Sequence, residues 1–252
     1  MPRIVSVHSF RGGTGKSNTT ANLAATFALQ GRRVGIVDAD IQSPGIHVLF
    51  GLDTDRPHHS LNDYLWGKCS IEEAAQDVTA VLGDAAADGR IFLIPSSLQA
   101  GEIARVLREG YDVGLLNDGF QALLTRLSLD YLLIDTHPGM NEDTLLSMTI
   151  SDVLLIVLRP DRQDYQGTAV TVDVARRLKV PKLLLVVNKV LPDFDFDALA
   201  AEVERTYQVP VAGILPLSED LVRLASSDVF GVRYPDHPWT RTIRDIGDQI
   251  AG

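Results

Sequence analysis

Short apolar runs alternate with amphipathic segments along most of this chain of 252 residues. The runs contain few polar positions, which is typical of parallel strands that are buried on both faces of a sheet. We predict strands at 4–7, 33–38, 91–95, 131–135, 153–158, 183–187 and 211–215. The pattern therefore predicts a single α/β domain, residues 1–252, with a doubly wound, mainly parallel sheet and helices on both faces.

Helices are expected between these strands. In residues 17–30, four alanines recur at helical spacing and form a small-residue face that can lie close to a sheet, and Gly31 ends the helix. Residues 41–57 are polar and predict turns. Further helices are predicted at 61–66, 113–127, about 166–179 and 199–207.

The first strand leads into the segment Phe10-Arg11-Gly12-Gly13-Thr14-Gly15-Lys16-Ser17. A glycine-rich turn between a strand and a helix can bind an anion, because backbone N–H groups point inward and the helix dipole adds positive potential. Lys16 can bind the outer phosphates of a nucleotide, and the Ser17 hydroxyl can hold magnesium. Phe10 stands where the usual phosphate-loop pattern has its first glycine.

Acidic or amide side chains follow three other strands: the segment Asp38-Ala39-Asp40, then Asp135, then the pair Asn188-Lys189. The carboxyl ends of strands in a doubly wound sheet converge, so these side chains should meet the phosphate loop. Carboxylates beside a triphosphate require a cation between them, which indicates Mg²⁺. A single strand-ending Asp is as often a helix cap, but the combination predicts a Mg²⁺–nucleotide site.

Taken together, these motifs resemble the ParA/MinD family of P-loop ATPases, whose phosphate loop is the deviant form of the Walker A box. The resemblance extends from residue 4 to about residue 224. It implies that ATP and Mg²⁺ bind, and that the protein is an ATPase in which water attacks the γ-phosphate in line.

The resemblance also implies a role for each motif residue. Lys16, Asp40 and Arg11 would be catalytic, with Asp40 positioning or activating the attacking water. Ser17, Asp38 and Asp135 would surround Mg²⁺. The nucleotide would be held by Arg11, Gly12, Gly13, Thr14, Gly15, Lys16, Ser17 and Asn18, with Asn188 and the backbone at Pro216 and Leu217 around the adenine.

Arg11 replaces the lysine that, in the family, crosses the dimer interface to the partner's phosphates. Arginine is always charged and can bind phosphate oxygens bidentately, so the charge role can survive. We hypothesise that Arg11 acts in trans. The alternative is that it faces solvent or its own nucleotide.

The family resemblance implies an ATP-dependent homodimer that positions or partitions a cargo and is controlled by an activating or adaptor protein. A metal-insertion or assembly ATPase is the alternative, and a small-metabolite ligase also stays open. A metallocluster carrier is disfavoured because Cys69 is the single cysteine. A tyrosine kinase is disfavoured because no tyrosine follows Tyr234.

The net charge of −10 disfavours broad attraction to DNA or to anionic membranes. A local basic surface stays open among Arg176, Arg177, Lys179, Lys182, Arg223 and Arg233. No signal-peptide pattern and no membrane-spanning apolar run is evident, which indicates a cytoplasmic protein. Near the C-terminus, Trp239, Ile243, Ile246 and Ile250 form an apolar helix face, for which packing on the domain is favoured over membrane binding.

Four histidines and one short helix complete the candidates. His47, His58 and His59 are expected to be solvated loop residues, and His137 is expected to pack or cap rather than to sense phosphate. Leu61, Tyr64, Leu65 and Trp66 are interpreted as a packing cluster rather than an adaptor surface.

Overall fold

A computed structural model of the protein describes residues 2–53, 58–86 and 88–252, the side chain of residue 86 excepted. The strands are β1 Arg3–His8, β2 Arg33–Asp38, β3 Gln76–Asp77, β4 Arg90–Ile94, β5 Tyr131–Asp135, β6 Val153–Leu158, β7 Lys182–Val190 and β8 Val211–Pro216. In the described residues they form one sheet in the order β3-β4-β2-β5-β1-β6-β7-β8. Every strand pair is parallel except β3 with β4, which confirms the predicted fold class.

Helices cover both faces of this sheet. The α-helices are α1 Lys16–Leu29, α2 Leu61–Leu65, α3 Ala100–Glu109, α4 Val113–Arg126, α5 Glu142–Ile150, α6 Arg162–Arg177, α7 Phe196–Tyr207, α8 Glu219–Leu224, α9 Phe230–Arg233 and α10 Pro238–Ala251. Helices α1 and α10 pack on one face, whereas α4, α6 and α7 pack on the other.

Strand β6 shows why the apolar runs lack alternation. All six of its residues are buried. Val153, Leu155 and Val157 join the core on the α1 side. Leu154, Ile156 and Leu158 join the core on the α6 side. Each residue of the strand therefore faces a helical layer, and a polar side chain at any of these positions would be desolvated.

Helix α1 lies close to the sheet, as the alanine pattern predicts. Ala21, Ala24 and Ala28 have no exposed surface. Gly31 follows the helix with a φ of 81°, a left-handed conformation that costs glycine little. Small side chains thus let α1 approach the strand ends from which the phosphate loop departs.

The C-terminal helix α10 packs against the domain, as predicted. The side chains of Trp239, Ile243, Ile246 and Ile250 are buried in the core beside α1. The cluster at α2 is also confirmed, because Leu61 and Leu65 are buried and Tyr64 and Trp66 pack against them. No helix among the described residues is long and apolar enough to cross a membrane.

Several elements have no counterpart in the sequence prediction. Helix α3 carries Ile103, Val106 and Leu107 at helical spacing, a signal that the prediction missed, although only Val106 is buried. Helix α5 buries polar residues such as Thr144 and Ser147, which obscures an apolar period of 3.6. Strand β3 has two residues, too few to show any pattern. The 3₁₀ helix Ile46–Phe50 and the 3₁₀ segment Thr79–Ala86, which is interrupted by a kink at Gly83, are likewise unpredicted.

The prediction of a polar turn region at 41–57 is wrong within its described part, which ends at residue 53. The 3₁₀ helix there buries Ile46, Leu49 and Phe50 in the core beside α1. His47 belongs to the same helix and is only 5% exposed, so its assignment as a solvated loop residue is also wrong. Residues 54–57 of this prediction lie outside the described residues.

The close approach of Gly89 to α1 gives a test of the packing. A Cβ at Gly89 would stand 1.9 Å from the carbonyl oxygen of Ala28, a backbone atom that cannot rotate away. We expect Gly89→Ala to lower the free energy of unfolding by about 3 kcal/mol, measured by urea denaturation.

Gly101→Ala in α3 is the matched control, because a Cβ there meets no atom within 4 Å. Its free energy of unfolding should change by less than about 1 kcal/mol. Equal effects of the two substitutions would contradict the packing described here.

Candidate functional site

The phosphate loop lies between the end of β1 and the start of α1. Gly13 and Gly15 have φ angles of 77° and 98°, a backbone conformation that is strained for any residue other than glycine. Gly15 caps α1, no side chain caps this helix end, and its first turn carries no acidic residue. The first N–H groups and the positive end of the dipole are therefore available to an anion.

A cavity of about 300 Å³ opens at this loop. Lys16, Ser17 and Asp40 line it together, as the sequence predicts, and Pro138 and Lys189 complete its wall. The other lining residues are Gly12, Gly13, Gly15 and Asn18. The N–H groups and lysines make this a polar site that suits phosphates.

A second, more apolar cavity of about 160 Å³ shares Gly15, Asn18 and Lys189 with the first. Asn188, Pro216 and Leu217, the residues predicted around an adenine, all line it. Ser218, Leu221, Val222 and Trp239 line it too and were not predicted. The two cavities thus form one cleft with a polar end and an apolar end, the shape that a nucleotide needs.

Asp38 and Asp135 are register partners at the ends of β2 and β5, and both are buried. Burial raises the pKa of Asp135 to about 6, although the charge of Lys16 and a hydrogen bond from Ser17 act in the opposite direction. Burial, and then the charge of Asp135, raise the pKa of Asp38 well above its usual range. Thr20 also donates to Asp135, over 3.4 Å.

These two carboxylates fit a magnesium site. They are hard oxygen donors, and no ion pair within the described residues involves either of them. Asp135 interacts with Lys16 and Ser17, and Asp38 interacts with Asp135. No group of three or more His, Cys, Asp or Glu side chains in the described part of the chain could hold a metal. A Mg²⁺ ion here would therefore complete its shell with Ser17, water and phosphate oxygens.

Asn188 and Lys189 connect β7 to the phosphate loop through hydrogen bonds. The Asn188 amide donates to the carbonyl of Thr14 over 2.8 Å and accepts from the backbone N–H of Lys189. The Lys189 ammonium donates to the carbonyl of Gly13 over 2.8 Å. The sequence marked Lys189 only as a neighbour of Asn188, and its contact with the loop depends on tertiary structure.

Asp40 reaches the same cleft from the loop after β2. Its Oδ1 atom accepts a hydrogen bond from the Ser43 N–H over 3.2 Å and contacts His137 Nδ1 at 2.6 Å. His137 lies in the loop after β5, two residues beyond Asp135. His137 was predicted to pack or to cap, and its contact with Asp40 was not predicted.

Arg11 points away from the cleft of its own chain. Its side chain is 43% exposed, contacts Gln163 and lies 3.9 Å from Asp164, both in the first turn of α6. The neighbouring Phe10 packs on the same helix. Its ring lies so close to Gly167 of α6 that a Cβ at this glycine would stand 2.2 Å from it. The residue that replaces the first glycine of the usual pattern thus anchors the loop on α6.

Several of the basic residues considered for a binding surface are engaged within the chain. Arg176 donates to the carbonyls of Tyr207 and Gln208. Lys182 donates to the carbonyl of Gln249, and Arg177 and Arg223 form ion pairs within their own helices. The ion pairs offset the charges of Arg177 and Arg223, whereas Arg176 and Lys182 keep their charge but are held in place by backbone carbonyls.

The family model of the CobQ/CobB/MinD/ParA nucleotide binding domain matches residues 5–230. The chain belongs to this family. The match contains the phosphate loop, both buried carboxylates and Asn188, so it includes every lining residue of the cleft named above except Trp239.

Relatives of this family member cover most of its length. An ATP-binding protein of Methanocaldococcus jannaschii is 27% identical, and the match covers 100% of this chain and 89% of the length of that protein. An iron–sulfur cluster carrier protein of Methanococcus maripaludis is 29% identical, and the match covers 73% of this chain and 59% of the length of that protein. The septum site-determining protein MinD of Pyrococcus horikoshii, solved with Mg-ADP, has the same fold, with a TM-score of 0.79, 19% identity and coverage of 99% and 96%.

The raised pKa of Asp135 gives a prediction about stability. The folded chain keeps a proton on Asp135 up to about pH 6, whereas an unfolded chain loses it near pH 4. The contribution of Asp135 to the free energy of unfolding of the nucleotide-free protein should therefore fall as pH rises from about 4 to about 6. We expect Asp135→Asn to be more stable than the wild type at pH 7.5, by up to about 3 kcal/mol, in urea denaturation with EDTA.

The gain from Asp135→Asn should disappear toward pH 4, because the wild-type carboxyl is then protonated in both states. Asp173→Asn, at an exposed ion pair on α6, is the control and should show no comparable pH dependence. The prediction would be contradicted if Asp135→Asn were less stable than the wild type at pH 7.5.

Proposed function

We propose that this protein binds ATP with Mg²⁺ in the cleft, hydrolyses it slowly, and uses the nucleotide to switch between a monomer and a homodimer that positions or partitions a cargo. The observation that carries the proposal is the joined cleft, in which uncapped helix N–H groups, Lys16 and Ser17 line one end and an apolar cavity forms the other. The buried Asp135 lies behind the polar end, hydrogen-bonded to Ser17.

Each part of the cleft has a distinct task in the proposed reaction. The phosphate loop and Lys16 bind the phosphates, and the base enters the cavity beside Asn188 and Pro216. Ser17, Asp38 and Asp135 would hold Mg²⁺, which would supply positive charge to the phosphates. Asp40 faces the same cavity and orients the attacking water.

The proposed dimer rests on Arg11. An exposed arginine that lines neither cavity of its own chain is available to the phosphates of a partner. Arginine is suited to this role because its charge is permanent and its donors are arranged as a fork. We propose that it stabilises the charge of the transition state in trans, and that an activating or adaptor protein promotes this arrangement.

An assembly ATPase that handles a metal or a metal cluster is the second candidate, favoured by the relative that is named an iron–sulfur cluster carrier. The chain contains only Cys69, which is half-buried, so a homodimer offers two thiols at most. This candidate therefore requires further ligands from a partner protein. Metal-dependent dimerisation would favour it.

The switch is tested with Asp40→Ala, which should bind ATP without hydrolysing it. In sedimentation with ATP and Mg²⁺ we expect a dimer, and with ADP a monomer. Lys16→Ala is the control and should stay monomeric, because it lacks the phosphate-binding charge. A monomeric Asp40→Ala protein with bound ATP would contradict the proposed switch.

The same Asp40→Ala dimer can be sedimented with DNA and with anionic liposomes. The net charge of −10 and the engaged arginines predict weak binding to both. ATP-dependent binding to one of them would identify the surface that the dimer uses, whereas binding to neither would favour the assembly ATPase.

The trans role of Arg11 is tested by mixing subunits. Arg11→Ala alone should lose about 10³-fold in hydrolysis rate, and Lys16→Ala alone should be inactive. In a mixed dimer, the Lys16→Ala subunit still supplies Arg11 to the intact site of its partner, so ATPase activity should partly recover. No recovery, with heterodimers demonstrated, would assign Arg11 to its own chain.

A further inference from the structure

The two oxygens of Asp40 have different surroundings. Oδ1 is held from two sides, by the Ser43 N–H over 3.2 Å and by His137 Nδ1 at 2.6 Å. No donor from the described residues reaches Oδ2. Because Asp40 lines the phosphate cavity, holding Oδ1 leaves Oδ2 as the acceptor that can face this cavity.

The loop that carries His137 is itself held in place. The Thr136 N–H donates to the carbonyl of Val7, and the Gly139 N–H donates to the carbonyl of Ser9 over 3.1 Å. Pro138 lies between them, with φ restricted by its ring, and lines the phosphate cavity. The imidazole therefore approaches Asp40 from a backbone that is fixed to β1 and to the start of the phosphate loop.

The chemistry of the contact is that of a hydrogen bond from an imidazole N–H to a carboxylate. Such charge-assisted bonds are shorter and stronger than bonds between neutral groups. His137 and Asp40 are 24% and 15% exposed, so water competes only partly for either group. A carboxylate held by one oxygen loses the freedom to rotate its second oxygen away from the cleft.

We propose that His137 is a positioning residue for the hydrolytic step, which orients Asp40 so that Oδ2 accepts a hydrogen bond from the attacking water. This proposal rests on the proposed ATPase function. His137 acts through Asp40 and does not bind the phosphates. A misplacement of about 1 Å in a group that positions the reacting atoms can cost about 10²-fold in rate.

The test compares three substitutions at one position. His137→Asn keeps an N–H donor near the place of Nδ1, His137→Gln puts its donor one bond further out, and His137→Ala removes the donor. His59→Ala is the control, because His59 is exposed and has no part in the proposed site. The readouts are the Kd for ATP with Mg²⁺ and the single-turnover rate of hydrolysis.

We expect His137→Ala to bind ATP as the wild type does and to hydrolyse it about 10²-fold more slowly. His137→Asn should recover most of this loss, and His137→Gln should not. A histidine that only packs or caps gives a different result, because its replacement would alter thermal stability or ATP affinity without a selective loss of rate.

A double-mutant cycle with Asp40→Asn decides whether the two residues act together. In that background, His137→Ala should cause little further loss of rate, because the carboxylate that it orients is absent. An equal loss in both backgrounds, or a wild-type rate for His137→Ala, overturns the proposal. Failure of the proposed function itself has a separate signature, since the wild-type protein would then neither bind nor hydrolyse ATP.

Discussion

The register between β1, β2 and β5 is the constraint on which the site depends. Asp135 pairs with Val7 at the end of β1 and with Asp38 at the end of β2. Parallel pairing therefore brings two carboxylates to the level at which the phosphate loop begins. A shift of one residue in β5 would turn Asp135 to the opposite face of the sheet and would also move its apolar residues out of their helical layers.

Much of this arrangement is predictable because the same physics acts locally and globally. Continuous apolar strands require two helical layers, and a doubly wound sheet gathers its strand ends at one edge. Asp38, Asp135 and Asn188 could thus be assigned to one site from their positions after predicted strands. The small residues of α1 similarly indicated a helix lying close on the sheet.

The rest could not be predicted because it depends on contacts between distant segments. The apolar residues Ile46, Leu49 and Phe50 around His47 are compatible with burial, but a run of five residues does not by itself show that a 3₁₀ helix enters the core. Hydrophobic periodicity does not reveal helix α5, because this helix buries hydroxyl side chains. These hydroxyls form hydrogen bonds in the structure, as when Ser147 Oγ donates to the carbonyl of Asp143 within the helix. The bond between His137 and Asp40 joins residues 97 positions apart, and no pattern in either segment announces it.

Phe10 gives the phosphate loop a neighbour that a glycine would not provide. Its ring lies against Gly167, so the loop packs directly on the second turn of α6. Arg11 consequently starts from an ordered place on Gln163 and Asp164 rather than from a freely rotating state. If Arg11 acts in trans, as we propose, less side-chain entropy is lost when it reaches a phosphate, but its contacts with α6 must first break. The occupancy of those contacts would then set how readily one subunit can offer its arginine to another.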